Sequence, residues 1–167
     1  MLQRQSLRLA CLLIVVLTIG CDQATKRFAA RELQGAPGHS YLSDMVRIQY
    51  TENPGAFLSL GATLPAWART AIFSFGSALL LGFCAYSAIR NQWPTLARIG
   101  LCLIFGGGVS NLIDRVLRGS VIDFMNVGIG SLRTGIFNVA DMALMLGVAL
   151  VLITGRQPPK PVPAAGR

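Results

Sequence analysis

The chain has 167 residues, of which 53% are hydrophobic and 13% are charged, and its mean hydropathy is +0.55. A soluble domain carries about 25% charged residues, so this composition excludes an ordinary soluble domain and indicates a membrane protein. High apolar content excludes a disordered chain, and four cysteines without CxxC spacing favour neither a disulfide scaffold nor a metal or redox site. The net charge of +8 leaves nucleic acid and acidic lipid open as partners until the charges are located.

Four uncharged, apolar runs predict four transmembrane helices, near residues 6–27, 67–90, 96–117 and 137–156. About 20 helical residues are needed to cross roughly 30 Å of hydrocarbon, and three of the runs reach that length only with polar residues at their ends. Three consecutive glycines, at 106–108, favour close packing of the third helix against its neighbours.

The first 21 residues allow a second interpretation. A basic start, a short apolar core and the tetrapeptide Thr18-Ile19-Gly20-Cys21 look like the signal and lipidation box of a bacterial lipoprotein. A lipoprotein is normally soluble beyond its cysteine, whereas three further apolar runs follow here. We therefore favour a first transmembrane helix.

The distribution of charge predicts the orientation. Seven basic and no acidic residues lie before the first helix, between the second and third, and after the fourth: Arg4, Arg8, Arg90, Arg98, Arg156, Lys160 and Arg167. The positive-inside rule places these segments in the cytoplasm. Both termini are then cytoplasmic, and segments 28–66 and 118–136 lie on the outer side of the membrane. Because the excess charge follows the topology, we expect no nucleic-acid partner.

The two outer segments show the pattern of a small sheet that lies on the outer surface of the bilayer. Residues 46–51 alternate apolar and polar side chains, as in a strand, and a turn follows at 52–55. The stretch at 121–124 is apolar around one acid and precedes a predicted turn at Gly128 and Gly130. We expect one domain, residues 1–156, and a proline-rich, disordered cytoplasmic tail at 157–167.

Candidate chemistry rests on carboxylates. The single histidine, His39, supports neither a zinc motif nor a Ser-His dyad, and no GxSxG motif occurs. Asp123 and Asp141 both lie at the predicted outer boundary, where ionisable groups are functional candidates. Together they could activate a water, one as base and one as protonated acid. Alternatively, Asp123 is a solvated loop acid, and Asp141 is a charge in the first turn of a helix with Asn138 as its N-cap.

Three pairs at i,i+4 spacing occur at helix ends: Asp22 with Lys26, Asn111 with Arg115, and Asp114 with Arg118. This spacing is more typical of side-chain pairs that stabilise a helix than of catalytic groups.

The motifs taken together resemble lipoprotein signal peptidase (signal peptidase II), a family of aspartic endopeptidases of the bacterial inner membrane. In order and spacing they are DQATK at 22–26, ENPGAF at 52–57, GGGVSNLIDR at 106–115, VIDF at 121–124 and FNVADMAL at 137–144. The resemblance covers most of residues 20–145. It implies an all-α polytopic protein of four transmembrane helices with a small periplasmic β-sheet, which removes signal peptides from prolipoproteins by cleaving before a diacylglyceryl-modified Cys.

The resemblance also implies site residues. Asp123 and Asp141 form the catalytic dyad. Four polar residues position the dyad and the substrate backbone: Asn53, Asn111, Arg115 and Asn138. Asp22 and Lys26 form a supporting pair, and Gly107 allows a close approach of the backbone. No metal or organic cofactor is implied. The implied partners are prolipoprotein substrates and membrane lipids, and we expect a monomer.

The chain departs from the family pattern at Pro54, Phe57, Ser110 and Ile113. These departures put the substrate pocket in doubt, not the dyad. Two other classes stay open. A small transporter would use paired acids for ions, but its site normally lies near the membrane midplane on repeated, interrupted helices. An intramembrane serine protease would need Ser110 and His39 to meet.

Overall fold

The structure is a computed structural model that describes residues 2–55, 64–91 and 93–155. Its helices are α1 (Leu2–Glu32), α2 (Ala66–Arg90), α3 (Thr95–Arg118) and α4 (Val139–Gly155), and its strands are β1 (His39–Tyr41), β2 (Val46–Asn53), β3 (Val121–Ile129) and β4 (Leu132–Arg133). The predicted tail at 157–167 and the departure at Phe57 lie outside the described residues.

All four predicted helices are present, and three of them have the length and composition to cross a membrane. The qualifying stretches are Gln5–Glu32, Ala71–Arg90 and Thr95–Arg118. Helix α4 is strongly apolar but has 17 residues, fewer than the roughly 20 that cross a bilayer without tilt or thinning. The molecule is therefore mostly helical with three candidate spans, and the fourth crossing stays a prediction.

Helix α1 does not end near residue 27, as the sequence predicted, but continues to Glu32. The additional turn is stabilised by tertiary packing. Ala29 and Leu33 are buried against Phe124 of β3, with Ile48 of β2 at the edge of this small core. The segment predicted as the first periplasmic loop thus begins as helix, and α1 supports the sheet directly.

The four strands form one antiparallel sheet in the order β1-β2-β3-β4. Strand β2 contains the predicted strand at 46–51. Its register with β3 places Thr51 opposite Asp123, and Asn53 lies two residues further along β2. Because side chains two residues apart on a strand point to the same face, Asn53 and Asp123 are diagonal neighbours on one face of the sheet.

The prediction of a turn at Gly128 is wrong. Gly128 lies within β3 and pairs with Arg133 of β4, and only Gly130, with φ of 57°, lies in the turn. A Cβ atom at position 128 would overlap the carbonyl oxygen of Leu132. Gly128 therefore permits the close approach of two strands rather than a reversal of the chain.

Helix α3 lies at the centre of the bundle and contacts the other three helices. The glycines at 106–108 face a different helix each. A Cβ atom added to them would lie 2.9 Å from Thr18 Cβ of α1, 2.5 Å from the carbonyl oxygen of Ala140 of α4, and 2.6 Å from Leu81 Cδ2 of α2. The close helix packing predicted from these glycines is present. It brings the start of α4 against the middle of α3.

Candidate active site

Asp123 lies on β3 between buried apolar neighbours and is only 3% exposed. It is therefore not a solvated loop acid. Its two oxygens accept hydrogen bonds from two asparagines: Asn138 Nδ2 donates to Oδ1 at 2.7 Å, and Asn53 Nδ2 donates to Oδ2 at 3.1 Å. Asn53 is itself oriented by the backbone amide of Gly55, which donates to its Oδ1 at 3.1 Å.

The pKa of Asp123 is raised to about 6. Burial is the largest cause, because it disfavours the charged form, and the negative charge of Asp141 acts in the same direction. The hydrogen bonds from Asn53 and Asn138 oppose the shift. A carboxyl group that titrates near neutral pH can both hold and release a proton, which suits general acid–base chemistry.

Asp141 occupies the first turn of α4, and Asn138 caps that helix. The Asp141 amide donates to Asn138 Oδ1 at 2.9 Å, and the Asn138 amide donates to Asp141 Oδ2 at 3.2 Å. This is a reciprocal capping box, so the predicted N-cap is present. The other carboxylate oxygen of Asp141 accepts a hydrogen bond from Asn111 Nδ2 at 2.9 Å.

Asn138 connects the two acids. Its side chain is fully buried and donates to Asp123, while its backbone amide donates to Asp141. Asn138 Nδ2 also lies 3.2 Å from Oδ1 of Asn111, the second amide that contacts Asp141. One residue thus holds both carboxylates on the same side of the bundle, next to the sheet.

Lys26 lies next to Asn111, a neighbour of Asp141, in a buried charge network. Its ammonium group contacts three acceptors, Asp22 Oδ2 at 2.6 Å, Asp114 Oδ2 at 2.8 Å and Asn111 Oδ1 at 2.8 Å. Lys26, Asp22 and Asp114 are each at most 1% exposed. The predicted Asp22–Lys26 pair is present, but it lies in the interior and includes a second carboxylate.

The predicted pairing of Asp114 with Arg118 is minor. Arg118 Nε is 4.0 Å from Asp114 Oδ1, whereas Lys26 is 2.8 Å from the other oxygen. Asp114 faces α1 in the interior and Arg118 is 42% exposed, so the carboxylate is held from the opposite helix.

Asp22 and Lys26 reach the start of α4 by two routes. Asp22 Oδ1 accepts a hydrogen bond from the backbone amide of Ala140 at 2.8 Å, so α1 caps the helix that carries Asp141. Lys26 donates to Asn111, which in turn donates to Asp141. At the same place Gly107 allows the backbone of α3 to contact Ala140.

Arg115 approaches the site from α3 with weaker contacts. Its Nη1 donates to the carbonyl oxygen of Asn111 at 3.4 Å, not to the side chain of that residue, and its Nη2 donates to the carbonyl oxygen of Gly55 at 3.3 Å. Its buried Nε has no hydrogen-bond partner among the described residues. The guanidinium group therefore retains donor capacity beside the turn that orients Asn53.

Two members of the network were missed from the sequence. Ser110, noted only as a departure, donates from Oγ to Asp22 Oδ2 at 2.7 Å, and Gln23 Nε2 donates to Ser110 Oγ at 3.0 Å and to Asp114 Oδ1 at 3.2 Å. A helical spacing could have indicated Ser110, because positions 107, 110, 111 and 114 lie on one face of a helix. No local signal marks Gln23.

The arrangement offers one buried carboxyl group (Asp123) and one partly buried carboxyl group (Asp141), amide donors that fix them, and an arginine with spare donors. Among the residues that the structure describes, no three His, Cys, Asp or Glu side chains are grouped so that they could hold a metal ion. Water activation by a carboxylate, with proton donation by its partner, is chemistry that these groups can perform directly.

Comparison with known proteins decides the family. The family model described as Signal peptidase (SPase) II matches residues 14–155. The chain belongs to the signal peptidase II family. Two relatives named lipoprotein signal peptidase support this: one from Paraburkholderia phymatum is 32% identical, covering 83% of this chain and 82% of its own length, and one from Syntrophus aciditrophicus is 31% identical, covering 85% and 91%.

Solved structures agree with this membership. Two structures of a bacterial membrane enzyme superpose with TM-scores of 0.77 and 0.78, each at 28% identity, covering 92% and 89% of this chain and 94% and 93% of theirs. As a signal peptidase II the protein is a protease of a bacterial membrane, and the family predicted from the sequence is confirmed. The transporter alternative is thereby excluded.

Proposed function

We propose that this signal peptidase II removes the signal peptide from diacylglyceryl-modified prolipoproteins as an aspartic endopeptidase that cleaves before the lipidated Cys. Asp123 and Asp141 are its catalytic dyad. The observation that carries the proposal is the position of Asn138, which hydrogen-bonds both carboxylates at 2.7 and 3.2 Å and so keeps them at one site. Family membership supports prolipoproteins as the substrate class.

The mechanism follows from two carboxyl groups held close together. Like charges resist simultaneous ionisation, so the dyad holds one proton in the resting state. The ionised partner removes a proton from a water molecule, which attacks the scissile carbonyl carbon. The protonated partner donates its proton to the carbonyl oxygen, which gives a tetrahedral diol. The diol returns a proton to that partner, the other carboxyl group gives the proton that it took from water to the amide nitrogen, the C–N bond breaks, and the amine leaves. A pKa of about 6 for Asp123 places this exchange near neutral pH.

The surrounding side chains have separate tasks in this proposal. Asn111 and Asn138 orient the dyad, since each donates to a catalytic carboxylate. Asn53 fixes the second oxygen of Asp123. Arg115, with its loosely bonded guanidinium group, binds a backbone carbonyl of the substrate.

Lys26, Asp22 and Gly107 support the dyad indirectly, through the residues that hold it. Lys26 and Asp22 hold α1 against Asn111 and the start of α4. Gly107 sets the approach of α3 to α4, because any side chain there would meet Ala140. These contacts fix the dyad geometry without touching substrate.

The proposed topology places the dyad at the periplasmic boundary of the inner membrane. Helices α1 to α4 all span the bilayer, both termini are cytoplasmic, and the sheet lies on the periplasmic surface beside the dyad. Diacyl chains stay in the outer leaflet while the scissile bond meets water. Residues 1–156 form one domain that works as a monomer in contact with lipid.

The direct test uses purified protein in detergent or lipid vesicles with a diacylated prolipoprotein. We expect a gel shift that corresponds to loss of the signal peptide, with the new N-terminus at the lipidated Cys. The same precursor without its diacylglyceryl group is the matched control and should not be cleaved. Cleavage at another bond, or equal cleavage of both precursors, would contradict the proposal.

A further inference from the structure

Ser110 is a buried hydroxyl that belongs to the charge network, although the sequence marked it only as a departure from the family pattern. It is fully buried on α3. Its Oγ donates to Asp22 Oδ2 at 2.7 Å and accepts from Gln23 Nε2 at 3.0 Å. Both partners lie on α1, so the hydroxyl fastens α3 to α1 at this level.

Asp22 in turn connects Ser110 to the helix that carries Asp141. Its Oδ2 accepts from Ser110 and from Lys26, and its Oδ1 accepts from the backbone amide of Ala140 at 2.8 Å. Ala140 precedes Asp141 in the first turn of α4. The orientation of the Asp22 carboxylate is therefore coupled to the position of that turn.

We propose that Ser110 is a positioning residue for the reaction. Its hydroxyl fixes the carboxylate of Asp22, Asp22 holds the first turn of α4, and that turn places Asp141 relative to Asp123. The inference rests on the proposed dyad, and it adds a residue of this chain that the resemblance did not assign.

Loss of the hydroxyl would change the balance of the network. Among the described residues, Asp22 Oδ2 would keep only Lys26 as donor, and the ammonium group is shared with Asp114 and Asn111. The Asp22 carboxylate would then attract the Lys26 ammonium group more strongly. The hydrogen bond from Lys26 to Asn111 would weaken, and Asn111 donates to Asp141. The connection through Asp22 and Ala140 and the connection through Lys26 and Asn111 both weaken, so Asp141 is held less firmly. No group that contacts substrate is removed.

The test is the steady-state kinetics of Ser110→Ala on a diacylated prolipoprotein. We expect kcat to fall by about tenfold, less than the roughly 100-fold that a 1 Å misplacement can cost, with KM unchanged within about twofold. Ser110→Thr retains the hydroxyl and should restore kcat. Ser87→Ala is the matched control, because it removes another buried hydroxyl, one that accepts from Asn91 and Trp93 at the end of α2. Its kcat should equal that of the unaltered protein.

A dependence on Asp22 distinguishes positioning from general loss of stability. Ser110→Ala should lower kcat little or not at all in an Asp22→Asn background. The second substitution already removes the carboxylate that Ser110 orients, so the two effects do not add. If Ser110→Ala does not fold, Ser110→Cys, with its weak donor, replaces it in the same comparison. Unchanged kcat in the hydroxyl-free variant, or an undiminished effect in the Asp22→Asn background, would overturn the inference. Activity in Asp141→Asn would instead overturn the proposed dyad.

Discussion

Asn138 and Asp141 hold each other at the start of α4, the backbone amide of each donating to the side chain of the other at 3.2 and 2.9 Å. Capping boxes normally stabilise a helix end and nothing more. Here the capping asparagine also donates to Asp123 at 2.7 Å. The contact that begins the helix therefore sets the relation between two acids that lie eighteen residues apart in the chain.

The stability of the protein should depend on pH through Asp123. Its pKa is raised to about 6 in the folded state, above about 3.9 in an unfolded chain. Between these values the folded state binds more protons, so stability falls as pH rises. We expect the unaltered protein to lose on the order of 1 kcal/mol relative to Asp123→Asn between pH 5 and 7. Thermal unfolding of both proteins at the two pH values measures this difference.

Asp44→Asn is the control for that comparison. The pKa of this exposed carboxyl is lowered by hydrogen bonds from Arg47 and Ser40. A lowered pKa changes stability only in more acid solution, so its removal should add no pH dependence between pH 5 and 7. A stability difference for Asp123→Asn that is constant across this range would show that Asp123 does not titrate there.

Replacing Lys26 by Met should destabilise the protein strongly. The substitution leaves Asp22 and Asp114 buried without their shared cation, and breaking a buried ion pair from one side costs about 3–5 kcal/mol. Adding Asp114→Asn should recover part of the loss. Arg47→Met removes an exposed ion pair and should cost no more than about 1 kcal/mol. Chemical denaturation of the four proteins gives the comparison, and equal losses for Lys26 and Arg47 would contradict it.

Gly107→Ala should separate α3 from α4. The new Cβ would lie 2.5 Å from the carbonyl oxygen of Ala140, and overpacking of this kind costs about 1–3 kcal/mol. Cleavage should fall as well, because the first turn of α4 must move. Gly82→Ala is the matched control, since its Cβ would meet no atom within 4 Å, and it should stabilise α2 by up to about 1 kcal/mol. Similar unfolding temperatures for both variants would show that α3 and α4 can adjust.

The sequence predicted the parts of the structure that rest on local patterns. Apolar runs indicated all four helices, and alternation at 46–51 indicated β2. The end of α1 could not be predicted in this way. Residues 28–32 include charged side chains that suit a loop, and they stay helical because Ala29 and Leu33 pack under the sheet. That contact depends on the tertiary fold.

Among the site residues, too, contacts within one helix could be predicted and contacts between helices could not. The i,i+4 spacing of Asp22 and Lys26 predicted their contact, since it needs only one helix. The same rule suggested Arg118 as the partner of Asp114, but α1 supplies Lys26 across the bundle. Spacing along a single helix cannot show which residue a neighbouring helix presents.

The topology can be tested by labelling single cysteines in a variant without the four native ones. We expect residues 40 and 130 to react with a reagent that cannot cross the membrane, added from the periplasmic side. Residue 92 and the tail should react only after the membrane is opened. Labelling of residue 40 from the cytoplasmic side alone would contradict the positive-inside interpretation and the proposed location of the dyad.

The most direct test of the central claim is cleavage of a diacylated prolipoprotein by purified Asp123→Asn and Asp141→Asn proteins. Each substitution keeps the shape of the side chain and removes its ability to exchange a proton, so we expect each rate to fall by at least about 100-fold. Unfolding temperatures and membrane insertion should show that both variants are folded, and Asp44→Asn should cleave normally. Turnover at the unaltered rate by either dyad variant would contradict the assignment of Asp123 and Asp141 as the catalytic pair.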